Sequence, residues 1–303
     1  MPHSIPVSLS KRERALGCLL GGALGDAWGG AREAATASGP FEIPPHPSIS
    51  DDTQFTLATC ESILESGRIE PQNVAAHLLR WYQAGRIRGI GSSTLKAMKD
   101  LAIGTHWALA GARGEYAAGN GAAMRIAPLA FLLDPSSPSD RVTIRDVCRI
   151  THHNDEAYVG ALAIVCAIRS VLLGSWSAEY CFLDSAVEAA PDSAVRDRIQ
   201  ELARLSCPIA EVAGRYGASG HVVDTVPLAL FAAQFIVVQP LSEILGNVIS
   251  AGGDTDTIAS ITGQLAGAVT GAAGILSGQF ADLRDATQIL ETVEAFAEFA
   301  SGR

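Results

Sequence analysis

Charge is scarce in this sequence. Only 18% of its 303 residues are Asp, Glu, Lys or Arg, against 48% hydrophobic. A chain with that balance can bury a sizeable core and has little surface for charged arms or tails. Basic charge is scarcer still: 22 Lys and Arg face 32 Asp and Glu, for a net charge of −10, and no basic stripe is visible. That excludes long nucleic acid as the expected partner. An anionic ligand would need help from metal ions, helix N-termini or backbone amides. The six cysteines, Cys18, Cys60, Cys148, Cys166, Cys181 and Cys207, form no C-x-x-C pair, and most sit inside apolar helical patterns. We expect reduced thiols in a cytoplasmic protein, with neither a zinc site nor a disulfide framework. The N-terminus, "MPHSIPVSLSKRER", lacks the apolar core of a secretory signal. No linker-like shift in composition and no fixed-period repeat divides the chain, so one domain over residues 1–303 is expected, and not a solenoid.

Alternating strand patterns are missing too; "FIVV" is the only short β-branched run. What is present is helical periodicity, from "RALGCLLGGALGDAWGG" near the start to "LRDATQILETVEAFAEFA" at the end. "DTQFTLATCESILESG" opens on a capping residue and closes on Gly67, and "EPQNVAAHLLRWYQAG" has Pro71 in its first turn. "GNGAAMRIAPLAFLL", "NDEAYVGALAIVCAIRSVLLG", "SAEYCFLDSAVEAA" and "VPLALFAAQFIVV" continue the pattern. The expected fold class is all-α, a compact multi-helix bundle. The run "TIASITGQLAGAVTGAAGIL" (257–276) is long enough to span a bilayer. It is rich in Ala, Gly and Thr, lacks basic flanks and follows an acidic loop, so a central helix buried on all sides is the better reading.

Against this apolar background two acidic clusters stand out. "SISDDTQFTLA" (48–58) holds Asp51 and Asp52, and "AGGDTDTIAS" (251–260) holds Asp254 and Asp256. Clustered carboxylates repel, and in a mostly buried setting they need protons or cations. Neither spacing puts both side chains on one helix face, but in a turn before a helix both can converge on one point. Ser50, Thr53, Thr255 and Thr257 add neutral oxygens. No His or Cys accompanies them, so an all-oxygen set would suit Mg²⁺, Mn²⁺ or Ca²⁺ rather than zinc. Either cluster alone reads more readily as a helix N-cap than as a ligand set; the two together favour metal ligation.

Other polar points are weaker alone. "AAGNGAAMRIAP" (117–128) sets Gly119, Asn120 and Gly121 ahead of an expected apolar helix, where backbone amides could meet a phosphate. "RGIGSST" (88–94) is a similar loop, with Ser92 as a cap or phosphate donor. In "THHNDEA" (151–157), His152 and His153 could contact a pyrophosphate or cap the preceding helix. Glu33 alone would be solvated surface, and Asp26, inside an apolar helical pattern, reads as a buried structural hydrogen-bonder.

Taken in order, "GALGDAWGGAREA", "SDDTQ", "GNGAAMRIAP", "THHNDEAYVGA" and "GGDTDTIAS" resemble the motifs of the ADP-ribosylglycohydrolase family and run through nearly the whole chain. The resemblance implies an all-α enzyme with two Mg²⁺ or Mn²⁺ ions that cleaves the glycosidic bond between ADP-ribose and a modified protein or small conjugate. It implies Ser50, Asp51, Asp52, Asp254, Asp256 and Thr257 as metal ligands. Glu33, or a metal-bound carboxylate such as Asp52, would be the general acid or base. Gly89, Ile90, Gly91, Ser92, Gly119, Asn120, Gly121 and His152 would cradle the diphosphate and ribose, with Tyr116 and Trp107 the nearest aromatic candidates for the adenine. Gly89 stands where the arginine-specific branch usually has Asp, so the loop looks more like the branch acting on O-linked, serine-type ADP-ribose. A silent binder on the same fold would have lost acidic ligands, and here none is lost.

Overall fold

The computed structural model describes residues 9–34, 41–43, 45–177, 181–276 and 278–303. Among them are fourteen α-helices: α1 (Lys11–Ala34), α2 (Asp51–Ser66), α3 (Pro71–Gln83), α4 (Ser92–Ala102), α5 (Pro138–Arg149), α6 (Asp155–Leu172), α7 (Phe182–Ala189), α8 (Ala194–Leu202), α9 (Ile209–Tyr216), α10 (Val222–Ala233), α11 (Leu241–Ala251), α12 (Thr255–Thr270), α13 (Ala273–Leu276) and α14 (Ala286–Ser301). The all-α expectation holds. Of the expected helix beginning at "SAEY", residues 178–180 lie outside the described residues, and α7 covers the rest.

The central pair is α1 and α12, and its cause is legible in composition. Gly17, Gly21, Gly25 and Gly29 recur every fourth residue and so form one face of α1. A methyl group on any of them would overlap the backbone carbonyl oxygen of Gly267, Gly263, Ala259 or Thr255, in that order. The two backbones therefore touch, and the pairing order makes the helices antiparallel. The end of α1 that carries Glu33 is brought beside the start of α12, which carries Asp254 and Asp256. From Thr255 to Val269 every residue of α12 is buried, with α1, α10 and α11 among its neighbours. Its Ile258, Ile261, Leu265 and Val269 each contribute about 1.5–3 kcal/mol relative to exposure. No helix among the described residues is long and apolar enough to cross a membrane. Buried apolar side chains from α1 through α14 form one connected cluster, and all six cysteines are free thiols.

Three local expectations are corrected. The segment after Gly121 is a series of turns followed by a 3-10 helix, Ala127–Phe131, and not an α-helix; Pro128 offers no amide hydrogen to the ladder. The "FIVV" run is likewise 3-10, over Gln234–Val237. Two very short parallel strands also occur, β1 (Ala112–Arg113) and β2 (His152–His153), paired Ala112 to His152 and Arg113 to His153. This pairing fixes the backbone of His152.

Candidate active site

Two helix N-termini meet at one cleft. At α2, Ser50 is the N-cap: its Oγ accepts from the Asp52 N–H at 3.4 Å. At α12, Asp254 holds the cap position but makes no side-chain cap bond. Its Oδ2 instead accepts from Asn120 Nδ2 at 2.6 Å. Thr257 Oγ1 donates to Asp52 Oδ2 at 3.1 Å and ties the two helix starts together. The capping alternative thus describes Ser50 and fails for Asp254. Both helix dipoles present their positive ends to these carboxylates.

The carboxylates form two overlapping groups. Asp26, Asp52 and Asp256 each bring an oxygen within 4.8 Å of the others, as do Glu33, Asp254 and Asp256. Asp26 accepts from the backbone N–H of Ser50 and of Thr53 at 3.0 Å, the structural role expected of it. Nothing local in the sequence marks its membership of the cluster. Burial pushes the Asp51 carboxyl up to about 7, helped by the charge of Asp26. Burial, then a hydrogen bond with the Asp254 carboxyl and its charge, pushes Asp256 up to about 9. Asp52 is raised well above the usual range, by burial and then by Asp256. Glu33 is raised by partial burial and then by Asp254. Asp52 Oδ1 is fully buried and has no hydrogen-bond partner among the described residues. An all-oxygen set with an orphaned, buried carboxylate oxygen fits a hard divalent cation, which would relieve both the repulsion and the unmet acceptor.

A cleft of about 250 Å³ opens over this cluster. Glu33, Asp51, Asp52, Asp254, Asp256 and Thr257 line it, together with Gly89, Gly91, Ser92, Gly119, Asn120, Gly121 and His152. Two residues singled out from the sequence, Ser50 and Ile90, do not line it, nor do Tyr116 and Trp107. A larger groove of about 680 Å³, lined by Phe231, Phe235 and Val238, contains no carboxylate.

Each wall has a local cause. Glu33 is exposed at the end of α1, and its Oε1 accepts from the Thr255 N–H at 3.2 Å. At α4 the N-cap is Gly91, with no side-chain cap bond, and Ser92 is the first helical residue, so Ser92 is not the cap. Among the described residues the amides of Ser92, Ser93 and Thr94 have no side-chain acceptor, an arrangement suited to an anion, while the Gly91 amide is engaged by the Asp51 carboxyl. Gly89 has φ +80°, and a Cβ there would lie 3.2 Å from Asp51 Oδ1. Gly121 lies so close to His152 that a Cβ would sit 2.9 Å from Cε1. His152 is buried, and burial followed by the Arg125 charge lowers it to about 3, so it is neutral. His153 turns away, its Nε2 lying 2.7 Å from the Ala110 carbonyl oxygen.

Sequence reasoning passed over the 218–221 loop. Asn120 N–H donates to the Gly220 carbonyl at 3.1 Å, Asp254 N–H to that of Ala218 at 2.8 Å, and Val222 N–H to that of Ala118 at 2.9 Å. This loop locks the Gly-Asn-Gly wall to the second acidic motif. Its small-residue run, "GASG", was the available signal. Ser93, Thr94, Met124 and Gly220 also line the cleft.

Residues 8–303 match the sequence model of the ADP-ribosylglycohydrolase family. The chain is 30% identical to an uncharacterized protein of Archaeoglobus fulgidus, over 84% of this chain and 87% of that one. It is 28% identical to an ADP-ribosylarginine hydrolase of Pseudomonas putida, over 87% of this chain and 72% of that one. Among solved structures, an ADP-ribosylglycohydrolase-related protein complex superposes with a TM-score of 0.72 at 26% identity, covering 96% of this chain and 99% of the other.

Proposed function

The chain belongs to the ADP-ribosylglycohydrolase family, and on that premise we propose that it hydrolyses the glycosidic bond joining ADP-ribose to a modified target, with two Mg²⁺ or Mn²⁺ ions held in the acidic cleft. The observation that carries this reading is the buried, partnerless Asp52 Oδ1 inside a cluster of carboxylates pushed toward protonation. Ser50, Asp51, Asp52, Asp254, Asp256 and Thr257 would hold the cations. Bound there, they supply Lewis acidity to the ribose hydroxyls and to a water.

The chain's own groups do the rest. Glu33 stands at the cleft, anchored by the Thr255 amide, with a carboxyl raised by partial burial and by Asp254, and is placed to act as a general acid or base. Asp52 and its neighbours place negative charge beside the anomeric carbon, where oxocarbenium character develops. The open first turn of α4, the Gly89–Ser92 loop, Gly119–Gly121 and His152 offer amides and an imidazole, and no cationic side chain, to the diphosphate. Asn120 also acts through its side chain. The amide donates both to Asp254 and to Thr225 Oγ1, the latter at 3.0 Å, and so positions a ligand carboxylate.

The O-linked, serine-type bond is the favoured target. At Gly89 the backbone is left-handed and the Asp51 carboxylate is close by, so an Asp there would be both strained and repelled. The loop is thus not built for the residue that marks the arginine-specific branch. Release of free ADP-ribose from a Ser-linked and an Arg-linked peptide, with Mg²⁺ and then with EDTA, tests this. The expected result is release from the Ser-linked peptide, lost in EDTA. Release from the Arg-linked peptide alone would overturn the linkage, and no release from either would overturn the activity.

A further inference from the structure

Behind the cleft lies a buried cation that the proposed reaction leaves unused. Arg125 is completely buried, and among the described residues it pairs with no carboxylate. Its Nε and Nη1 have no hydrogen-bond partner among the described residues. Its Nη2 donates to the Val147 carbonyl at 3.4 Å and to Thr151 Oγ1 at 2.7 Å. Burial lowers it only to about 10, so it stays charged at neutral pH. An isolated buried guanidinium is costly, and its best contact is the Thr151 hydroxyl.

Thr151 passes that contact on. Its Oγ1 lies 2.8 Å from His152 Nδ1 and 3.5 Å from the Cys148 carbonyl oxygen. The arginine occupies a lone pair on Oγ1, and a hydroxyl that accepts from a cation becomes a stronger donor. The hydroxyl proton has two acceptors to choose from, and the imidazole nitrogen is the closer by far. If Nδ1 accepts that proton, the ring's own proton must sit on Nε2. Among the described residues Nε2 has no protein partner, and it sits at the cleft wall beside Gly119, where a Cβ would be 3.2 Å away. Burial and the Arg125 charge together keep the ring uncharged, so which tautomer it adopts decides what it can offer a ligand.

We infer that Thr151, held by the buried Arg125, is a positioning residue that fixes His152 as the neutral Nε2–H tautomer, so that the cleft presents one uncharged N–H donor to an oxygen of an anionic ligand. The opposite tautomer would present a lone pair and repel that oxygen. The geometry also explains the two glycines: side chains at 119 and 121 would cover the edge of the ring that carries the donor. The inference rests on the proposed reading only for the ligand, ADP-ribose. The tautomer stands independently of it.

The test uses the full chain, stripped of metal with EDTA and ¹⁵N-labelled at histidine. Long-range ¹H–¹⁵N correlation spectra identify the protonated nitrogen of His152. The wild type should show Nε2–H. Thr151→Val, which keeps the shape and removes the hydroxyl, should shift His152 to Nδ1–H or to a mixture, and Thr151→Ser should restore the wild-type pattern. Metal-free ADP-ribose affinity should fall about five- to tenfold in the Val variant, the effect of one misplaced hydrogen bond, and stay within about twofold in the Ser variant. Nδ1–H in the wild type would overturn the inference, even if the Val variant does not fold. An unchanged tautomer in Thr151→Val would do the same, as would a switched tautomer with unchanged affinity. The expected tautomer pattern with no ADP-ribose binding by any form, either in EDTA or after Mg²⁺ is restored, would support the relay and sink the proposed function instead.

Discussion

Replacing Asp256 by Asn should make the metal-free protein more stable while abolishing its activity. The Asp256 carboxyl is raised to about 9 from an ordinary 3.8. At about pH 7.5 the folded, metal-free chain therefore holds a proton there that the unfolded chain has released. At about 1.4 kcal/mol per pH unit, that uptake costs folding at most about 5 kcal/mol. Asn needs no proton. Its Oδ1 can keep the bond that Asp256 Oδ1 accepts from the Thr257 N–H at 2.7 Å, and its Nδ2 can donate to Asp254. Neighbouring carboxyls will take back part of the gain by redistributing protons. We expect a net stabilisation of about 1–3 kcal/mol in EDTA, or a Tm rise of about 1.5–5 °C for a chain of this length. Saturating Mg²⁺ should reverse the order. The wild type then gains about 4.1 kcal/mol at one thousand times the dissociation constant, and the variant, short of one ligand charge, gains far less. Thermal melts of both proteins with EDTA and with Mg²⁺ decide it. A variant that melts below the wild type in EDTA would refute the electrostatic account of the cluster.

Other consequences are as specific. The raised carboxyls of Asp51 and Asp256 mean that above about pH 4 the folded chain holds protons the unfolded chain has lost. Metal-free Tm should therefore fall as pH rises through 7 and toward 9, and Mg²⁺ should flatten the slope; a metal-free Tm that rises over that range contradicts it. Gly25→Ala drives a methyl into the Ala259 carbonyl and should cost about 3 kcal/mol by urea unfolding. The matching control, Gly214→Ala in the open middle of α9, should gain about 0.5–1 kcal/mol. Glu33→Gln keeps an acceptor for the Thr255 amide. It should lower kcat by about 10²–10⁴ with KM little changed and Tm in EDTA within about 1 °C, as expected for removal of a general acid or base.

Much of this site was legible because its chemistry is written locally. Asp51–Asp52 and Asp254–Asp256 each precede an apolar run, and a helix N-terminus gathers neighbouring side chains whatever the tertiary context. The every-fourth-residue glycines of α1 and the small-residue run of α12 are each visible in the sequence, and their interlocking sets the carboxylates of α1 beside those of α12. What escaped was non-local. Asp26 lies 26 residues before Asp52 and shows no signal of its own beyond polarity in an apolar helix; only the approach of α1 to α2 enrols it. Asn120 reads as part of a phosphate loop, yet its amide is engaged by Asp254, 134 residues away. Arg125 and Thr151 sit in ordinary-looking positions of their motifs, and their link to His152 depends on a strand pair two residues long. The helix expected after Gly121 failed for a local reason, Pro128, which was in plain view.

The most direct test of the central claim is a metal titration of the EDTA-stripped protein, with bound metal and ADP-ribose release from a Ser-linked peptide measured on the same samples. The account predicts no release from the stripped protein and activity that returns in proportion to bound Mg²⁺ or Mn²⁺, with no recovery in Asp256→Asn. Full release from the stripped protein would contradict it.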